Sequence, residues 1–389
     1  MNLVFMKQKA TILLVYLSLY LLTTPSYGQE DTSFLNPPRI IHFPDFEPRH
    51  KLERRKFTGI PSLAITEKEK TFWAVWYAGT SPAEDQNNYV VLSNSSDQGQ
   101  NWKEVLVIDP DGEGPVRAFD PEVWVDPLGK IWVFWAQTIG MDGTRSGVWS
   151  ITGIKSAQGI IEWSDPRRLT DGIMMCKPLL LSNGDWVLPA STWRLTDNSA
   201  RMVVSGDQGQ TWKVRGAVHV PKPHRSYDEH HFVEKGEGTL WALLRTSYGI
   251  GESYSFDSGK TWSDLKPSSI AHPSARFFIR RLRSGNLLLV KHGPVAIKTG
   301  RSHLMAFLSE DNGKSWSEGL LIDQRAGVSY PDGQETADGT VYIIYDRDRT
   351  GAREILMTHF KEEDILDKAG DEQMVTVYNR RKIISEKIE

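Results

Sequence analysis

The sequence predicts an all-β fold, a six-bladed β-propeller, on two observations. A turn motif recurs along the chain, and a strand-like segment recurs in step with it. The motif is Ser-x-Asp-x-Gly-x-x-Trp. It stands at Ser95–Trp102, Ser205–Trp212, Ser255–Trp262 and Ser309–Trp316. The last three tryptophans are 50 and 54 residues apart, and the first gap, 110 residues, is about twice that. A degenerate copy is therefore expected midway, and Ser156–Trp163 fills the place with its aspartate lost. The motif explains itself locally: aspartate accepts backbone N–H groups within a tight turn, and glycine takes the left-handed position.

The second series comprises Phe72–Tyr77, Ile131–Ala136, Trp186–Ala190, Leu240–Arg245, Leu287–Lys291 and Val341–Tyr345. Their Val, Ile, Trp and Tyr content reads as β-strand. Six repeats of roughly 50 to 60 residues leave room for four strands each, the dimensions of a propeller blade. Arg39–Phe43 and Ile355–Phe360 are expected to close the ring in one shared sheet. The one helix expected is Glu362–Ala369, after the last blade. Fourteen tryptophans suit blade cores and sugar clefts better than a helical bundle.

Composition removes several classes. With 46 basic and 49 acidic residues there is no polybasic field for nucleic acid or an anionic membrane. The single cysteine, Cys176, excludes an intrachain disulfide framework. Residues 1–28 read as a signal peptide. Lys7 and Lys9 precede an apolar run, Ala10–Leu22, too short to span a bilayer, and Ser26-Tyr27-Gly28 offers small residues at a cleavage site. Residues 29–389 are then one exported domain, expected in the periplasm or outside the cell as a monomer. Histidines 272, 292 and 303 are too scattered for a metal site, and Asp109–Glu113 reads as a plain turn. No metal and no cofactor are expected.

The four motif copies resemble the Asp boxes of the sialidase (BNR-repeat) superfamily, over about Thr58–Asp346. That resemblance implies a sialidase-like six-bladed propeller that binds an acidic sugar at its central mouth, with the Asp boxes on the opposite face. The inner strands would begin at Thr58, Arg117, Met175, Tyr227, Ser274 and Ser329. Several residues match the family's site. Tyr330 resembles its tyrosine nucleophile and Glu229 the glutamate that polarises it. Arg245 and Arg301 resemble two arginines of its carboxylate-binding triad. Asp85, beside Glu84, is near the position of its acid/base. One departure stands out: Gly59-Ile60-Pro61 occupies the place of the family's Arg-Ile-Pro. The first arginine is missing, and Arg117 or Arg276 is the expected replacement.

Three further residues are candidates on their own chemistry. His230 is expected to face the channel, with its pKa set by Asp228 and Glu229. Lys177 opens the third inner strand. Trp193 is expected to stack on a sugar ring. Together these suggest an enzyme acting on the terminal acidic sugar of an oligosaccharide. β-Elimination at a uronate is preferred, with Tyr330 or His230 moving the proton and two arginines holding the carboxylate. The alternatives are sialidase-type hydrolysis and a non-catalytic glycan-binding propeller.

Overall fold

The computed structural model describes residues 31–141, 143–193, 196–366 and 377–387. One compact unit spans Thr32–Glu389, and the expected signal peptide, 1–28, lies outside the described residues. Six antiparallel sheets follow one another along the chain, and five of them are entered at the innermost strand; the first also takes Arg39–His42, from before its inner strand, onto its outer edge. The inner strands are Phe57–Thr66, Val116–Val125, the broken pair Ile173–Met174 and Leu179–Leu180, then His230–Gly236, Phe278–Arg281 and Val328–Glu335. Each expected strand of the second series lies within the next strand outward, for example Thr71–Gly79 in blade one and Thr239–Thr246 in blade four. These second strands are covered on both faces by neighbouring blades. They therefore read as unbroken apolar runs, buried almost end to end.

The recurrent motif joins the third strand of a blade to its fourth. In blade four Asp257 accepts from Lys260 N at 3.0 Å and Thr261 N at 2.9 Å, while Ser255 Oγ accepts from Gly259 N at 2.9 Å. Gly259 has φ +89°, and a Cβ there would collide with Met202 of blade three. Blades one, three and five repeat the arrangement: Gly99 meets Met357, Gly209 meets Trp132 and Gly313 meets Trp241, each in the preceding blade. The glycine thus serves the turn and the seam between blades together. Strand direction puts all four turns on the face opposite the inner-strand starts, as expected.

Ring closure differs from expectation. Arg39–His42 pairs with Lys103–Asp109 on the outer edge of blade one. Ile355–Phe360 belongs to the third strand of blade six, whose outer edge is Lys382–Ser385. The two segments share no sheet. Blades six and one are joined instead through side chains: Asp332 Oδ2 accepts from Ser62 Oγ at 2.7 Å and Leu63 N at 2.9 Å, and Gln334 bonds both backbone groups of Ile65. The expected helix appears as Glu362–Leu366, and its continuation lies outside the described residues.

Candidate active site

Three inner strands break their pleat in the same way. One extra residue is inserted between Gly59 and Ser62, between Phe119 and Glu122, and between Ser329 and Asp332. The residue before the proline takes a left-handed backbone each time: Ile60 (φ +57°), Asp120 (φ +46°) and Tyr330 (φ +51°). Asp228 does the same in blade four, without a proline (φ +53°). Such bulges re-aim side chains.

Beneath the bulges lies a buried polar belt across the channel. Lys177 Nζ pairs with Asp332 Oδ2 at 2.9 Å and donates to Leu63 O and Val123 O at 2.7 and 2.9 Å. Arg276 pairs with Glu122, both fully buried. Lys177 and Arg276 are therefore floor residues, engaged with protein carboxylates rather than open to a ligand.

Above the floor is the mouth. Arg245 NH1 donates to Glu229 Oε1 at 2.7 Å and to the Tyr330 hydroxyl at 3.4 Å, so acid and phenol meet on one nitrogen. The three side chains come from blades four and six, and all are buried. Burial lowers the Arg245 pKa, but Glu229 and Tyr330 outweigh it and the net shift is upward. Tyr330 is pushed up by burial and then by Glu229, against the pull of Arg245, Arg349 and Arg301. Glu229 Oε2 has no partner. Arg301 lies over the Tyr330 ring, 5.4 Å from its centroid.

A cleft of about 350 Å³ opens beside the tyrosine, between Phe57, Glu84, Arg301, Ser329 and Arg349. A second, of about 460 Å³, is lined by Glu84, Asp85, Glu113 and Arg117. Glu84 borders both. A larger cavity, about 720 Å³, sits at the other end of the channel among Thr66, Asp126, Arg281 and Glu335, away from the tyrosine.

Several expected residues stand elsewhere. His230 is buried, with Nδ1 against Asp228 O at 2.8 Å and Nε2 against Arg201 O at 3.0 Å. Burial depresses its pKa to about 4, so the ring is neutral and closed within the blade. His231 also turns inward, to Phe277 O. Trp193 lies in the core, 5% exposed, edge-on to Phe119 and Tyr227, and has no free face for a sugar. Asp85 accepts from Ser81 Oγ and Asn87 N, which commits it to its own loop. Arg117 stacks on Phe119 at 3.7 Å and reaches Asn88 at 3.5 Å.

Two residues that sequence reasoning passed over belong to the mouth. Asp120 is 3% exposed, its Oδ1 has no partner, and burial followed by Glu84 raises its pKa well above the ordinary carboxylate value. The repeated bulge-proline pattern Ile60-Pro61, Asp120-Pro121 and Tyr330-Pro331 was the available signal. Arg349, in the loop after Val341–Arg347, pairs with Glu84 at 2.8 Å and lies over Tyr330 at 5.1 Å. Its signal was topological: that strand ends at the mouth, beside Gly59 of blade one. Among the described residues, one carboxylate–histidine cluster has the spacing of metal ligands, Glu47, His50 and Asp109. Arg39 and Arg49 already neutralise Asp109, which suits an ion-pair network and not a cation.

Comparison with known proteins fits this architecture. A family model described as a BNR repeat-like domain matches residues 70–343. A search of curated protein sequences gives no match. Among solved structures, the Hadza microbial sialidase Hz136 superposes with a TM-score of 0.60 at 20% identity, over 79% of this chain and 66% of that one. The leech intramolecular trans-sialidase, complexed with 2,7-anhydro-Neu5Ac, gives 0.61 at 14% identity, over 86% and 71%. A protein of unknown function from Dyadobacter fermentans gives 0.58 at 18%, over 81% and 94%. The chain belongs to the BNR repeat-like family, and its fold is the six-bladed propeller of the sialidases.

Proposed function

We propose that this propeller is a carbohydrate-active enzyme that cleaves a terminal acidic sugar from an oligosaccharide, with Tyr330 as nucleophile. The carrying observation is the convergence of Tyr330 and Glu229 on Arg245, with a further arginine over the phenol ring. Cations lining the cleft favour a carboxylate-bearing sugar. Where that carboxylate sits on the anomeric carbon, a neutral phenol approaches more readily than a charged carboxylate nucleophile would. In the first step the Tyr330 oxygen bonds to the anomeric carbon and its proton passes to Glu229. The bond to the leaving oxygen breaks, and that oxygen takes the proton held by Asp120. Water then attacks the anomeric carbon, returns one proton to Asp120 and releases Tyr330, which recovers its proton from Glu229. Both sialidases named above share the fold, which supports this chemistry by analogy alone. The leader read in residues 1–28 suits action outside the cytoplasm.

Elimination at a terminal uronate is the second reading, and Gly59 is the observation in its favour, since a missing arginine weakens a three-armed clamp. Its base is harder to find. His230 is closed inside the blade, and Tyr330 has its pKa raised, which keeps the phenol protonated. Product mass separates the two: hydrolysis adds one water, and lytic cleavage adds none. A panel of sialosides and uronate oligosaccharides, assayed with the full chain and with Tyr330→Phe, is the test. Release of an acidic monosaccharide, lost in Tyr330→Phe with unchanged melting, is expected. An unsaturated uronate product with no hydrolysis of any sialoside would overturn the reading.

A further inference from the structure

We infer that Arg349 is a substrate-binding residue that supplies the guanidinium missing at position 59, reaching the carboxylate site from blade six through space that Gly59 leaves open. The inference rests on the acidic-sugar reading above. Gly59 does not have the positive φ that would call for glycine. What glycine provides here is room: a Cβ at residue 59 would overlap Cγ and Cδ of Arg349. The stem of Arg349 thus occupies the volume into which a side chain from residue 59 would grow. An arginine at 59 would displace the stem of Arg349 from its present position.

The head of Arg349 is also where a carboxylate arm belongs. It lies between the faces of Phe57 and Tyr330, 5.8 and 5.1 Å from their centroids. Arg301 faces the same Tyr330 ring at 5.4 Å, and Arg245 touches the phenol oxygen. Three guanidinium groups therefore surround one tyrosine, contributed by three separate blades. Two of them, Arg301 and Arg349, line the 350 Å³ cleft with Ser329, whose Oγ has no partner. The protein anions facing Arg349 are Glu84 at 2.8 Å and Asp346 at 3.9 Å. Asp346 is bound to Ile60 N, and Glu84 is 35% exposed, so the Glu84 pair is one that an entering carboxylate can displace. The two arginines expected to fill the gap are engaged elsewhere, Arg276 with Glu122 and Arg117 on Phe119.

The test is calorimetric titration of the full chain with the methyl glycoside of N-acetylneuraminic acid and methyl glucuronide, each as free acid and as methyl ester. Arg349→Gln keeps the stem and removes the charge. It should weaken the free acid at least tenfold and leave the ester within twofold. The double variant Gly59→Arg/Arg349→Ala moves the guanidinium to the other strand and should restore acid binding to within threefold of wild type. Arg301→Ala is the internal control. If Arg349→Gln keeps the wild-type acid-to-ester ratio while Arg301→Ala loses it, the site reading stands and Arg349 is only a structural ion pair. If the wild type itself does not distinguish acid from ester, the acidic-sugar reading fails and this inference fails with it. Should Arg349→Gln fold poorly, the double variant decides by whether it recovers discrimination.

Discussion

Replacing Glu229 with glutamine is expected to damage stability and catalysis together. Glu229 and Arg245 have side chains 1% and 6% exposed, with 2.7 Å between Oε1 and NH1. The remaining contacts of Arg245 are neutral and loose: Ser274 Oγ and the Tyr330 hydroxyl at 3.4 Å, and the face of Tyr227 at 4.7 Å. Removing one member of a buried pair costs about 3–5 kcal/mol, because the other charge stays behind unpaired. Glutamine keeps a carbonyl acceptor, so the lower end, about 3 kcal/mol, is expected. Urea unfolding at pH 7, with the slope unchanged, measures it. A cycle with Arg245→Met separates the pair from its surroundings, and a coupling of about 1–3 kcal/mol is expected. Turnover should fall roughly 10²- to 10⁴-fold, the range for loss of a positioned general base. A variant within about 0.5 kcal/mol of wild type, with no coupling to Arg245, would refute the buried-pair reasoning. A stable variant with full turnover would refute the role of Glu229.

Other outcomes follow from the same geometry. Lys177→Ala leaves Asp332 buried without its cation and should cost about 3–5 kcal/mol, while KM for an acidic substrate stays within twofold; a large KM change at unchanged stability would return Lys177 to the sugar site. Asp120→Asn should slow substrates with alcohol leaving groups by about 10²-fold or more and aryl glycosides with acidic phenols far less, because the phenol needs no proton; equal losses on both would remove Asp120 as the donor. Stability should fall on acidification from about pH 6.5 to pH 4. Burial depresses His230 and His292 to about 4 and His231 to about 3, so the unfolded chain binds protons first across that window. Each contributes a slope of about 1.4 kcal/mol per pH unit. Asp346, raised by burial to about 6, acts in the opposite sense, as do Asp120 and Glu122, both raised by burial, and together they offset part of this slope. Urea midpoints at pH 7 and pH 4.5 check the sign.

The fold was legible because its signals are local. Each motif copy carries its own hydrogen bonds, and each second strand is apolar on both faces, so blade number and strand identity followed from spacing. Ring closure was not local: Arg39–His42 is strand-like whichever edge it joins, and only packing chose Asp109 and its neighbours as partners. In the site, Glu229, Arg245 and Tyr330 were visible through the family resemblance, which assigns them at strand ends. Which face a strand residue takes was not. Alternation yields two faces without saying which is the channel, and one bulge exchanges them. The left-handed Asp228 immediately precedes Glu229 and His230, and the carboxylate reaches the mouth while the imidazole turns into the blade. Trp193 shows a different limit, since a tryptophan in a loop can still be core when the loop folds over Phe119.

The bulge-proline pattern ties the two layers of the channel into one device. In blades six, one and two, the left-handed residues are Tyr330, Ile60 and Asp120, and two positions later stand Asp332, Ser62 and Glu122. Left-handed backbone at such residues costs on the order of 1–3 kcal/mol each and persists only where the surroundings fix it. Here the floor does the fixing. Asp332 and Ser62 bond each other, Ser62 Oγ accepts from Val123 N at 3.1 Å, Lys177 holds Asp332, and Arg276 holds Glu122. Proline has no N–H, so the residue after each bulged position leaves no donor unsatisfied. The bulged N–H of Ile60 is itself taken by Asp346, at 2.8 Å. Strain at the mouth is therefore anchored by charge pairs at the floor, and the residues assigned to chemistry, Tyr330 and Asp120, sit on the two bulges that flank Ile60. Buried polar atoms without a protein partner occur at both levels, on Asp120, Glu229 and Ser329 at the mouth and on Glu122, Arg276 and Asp332 at the floor, where the charge pairs hold the remaining atoms of the same side chains.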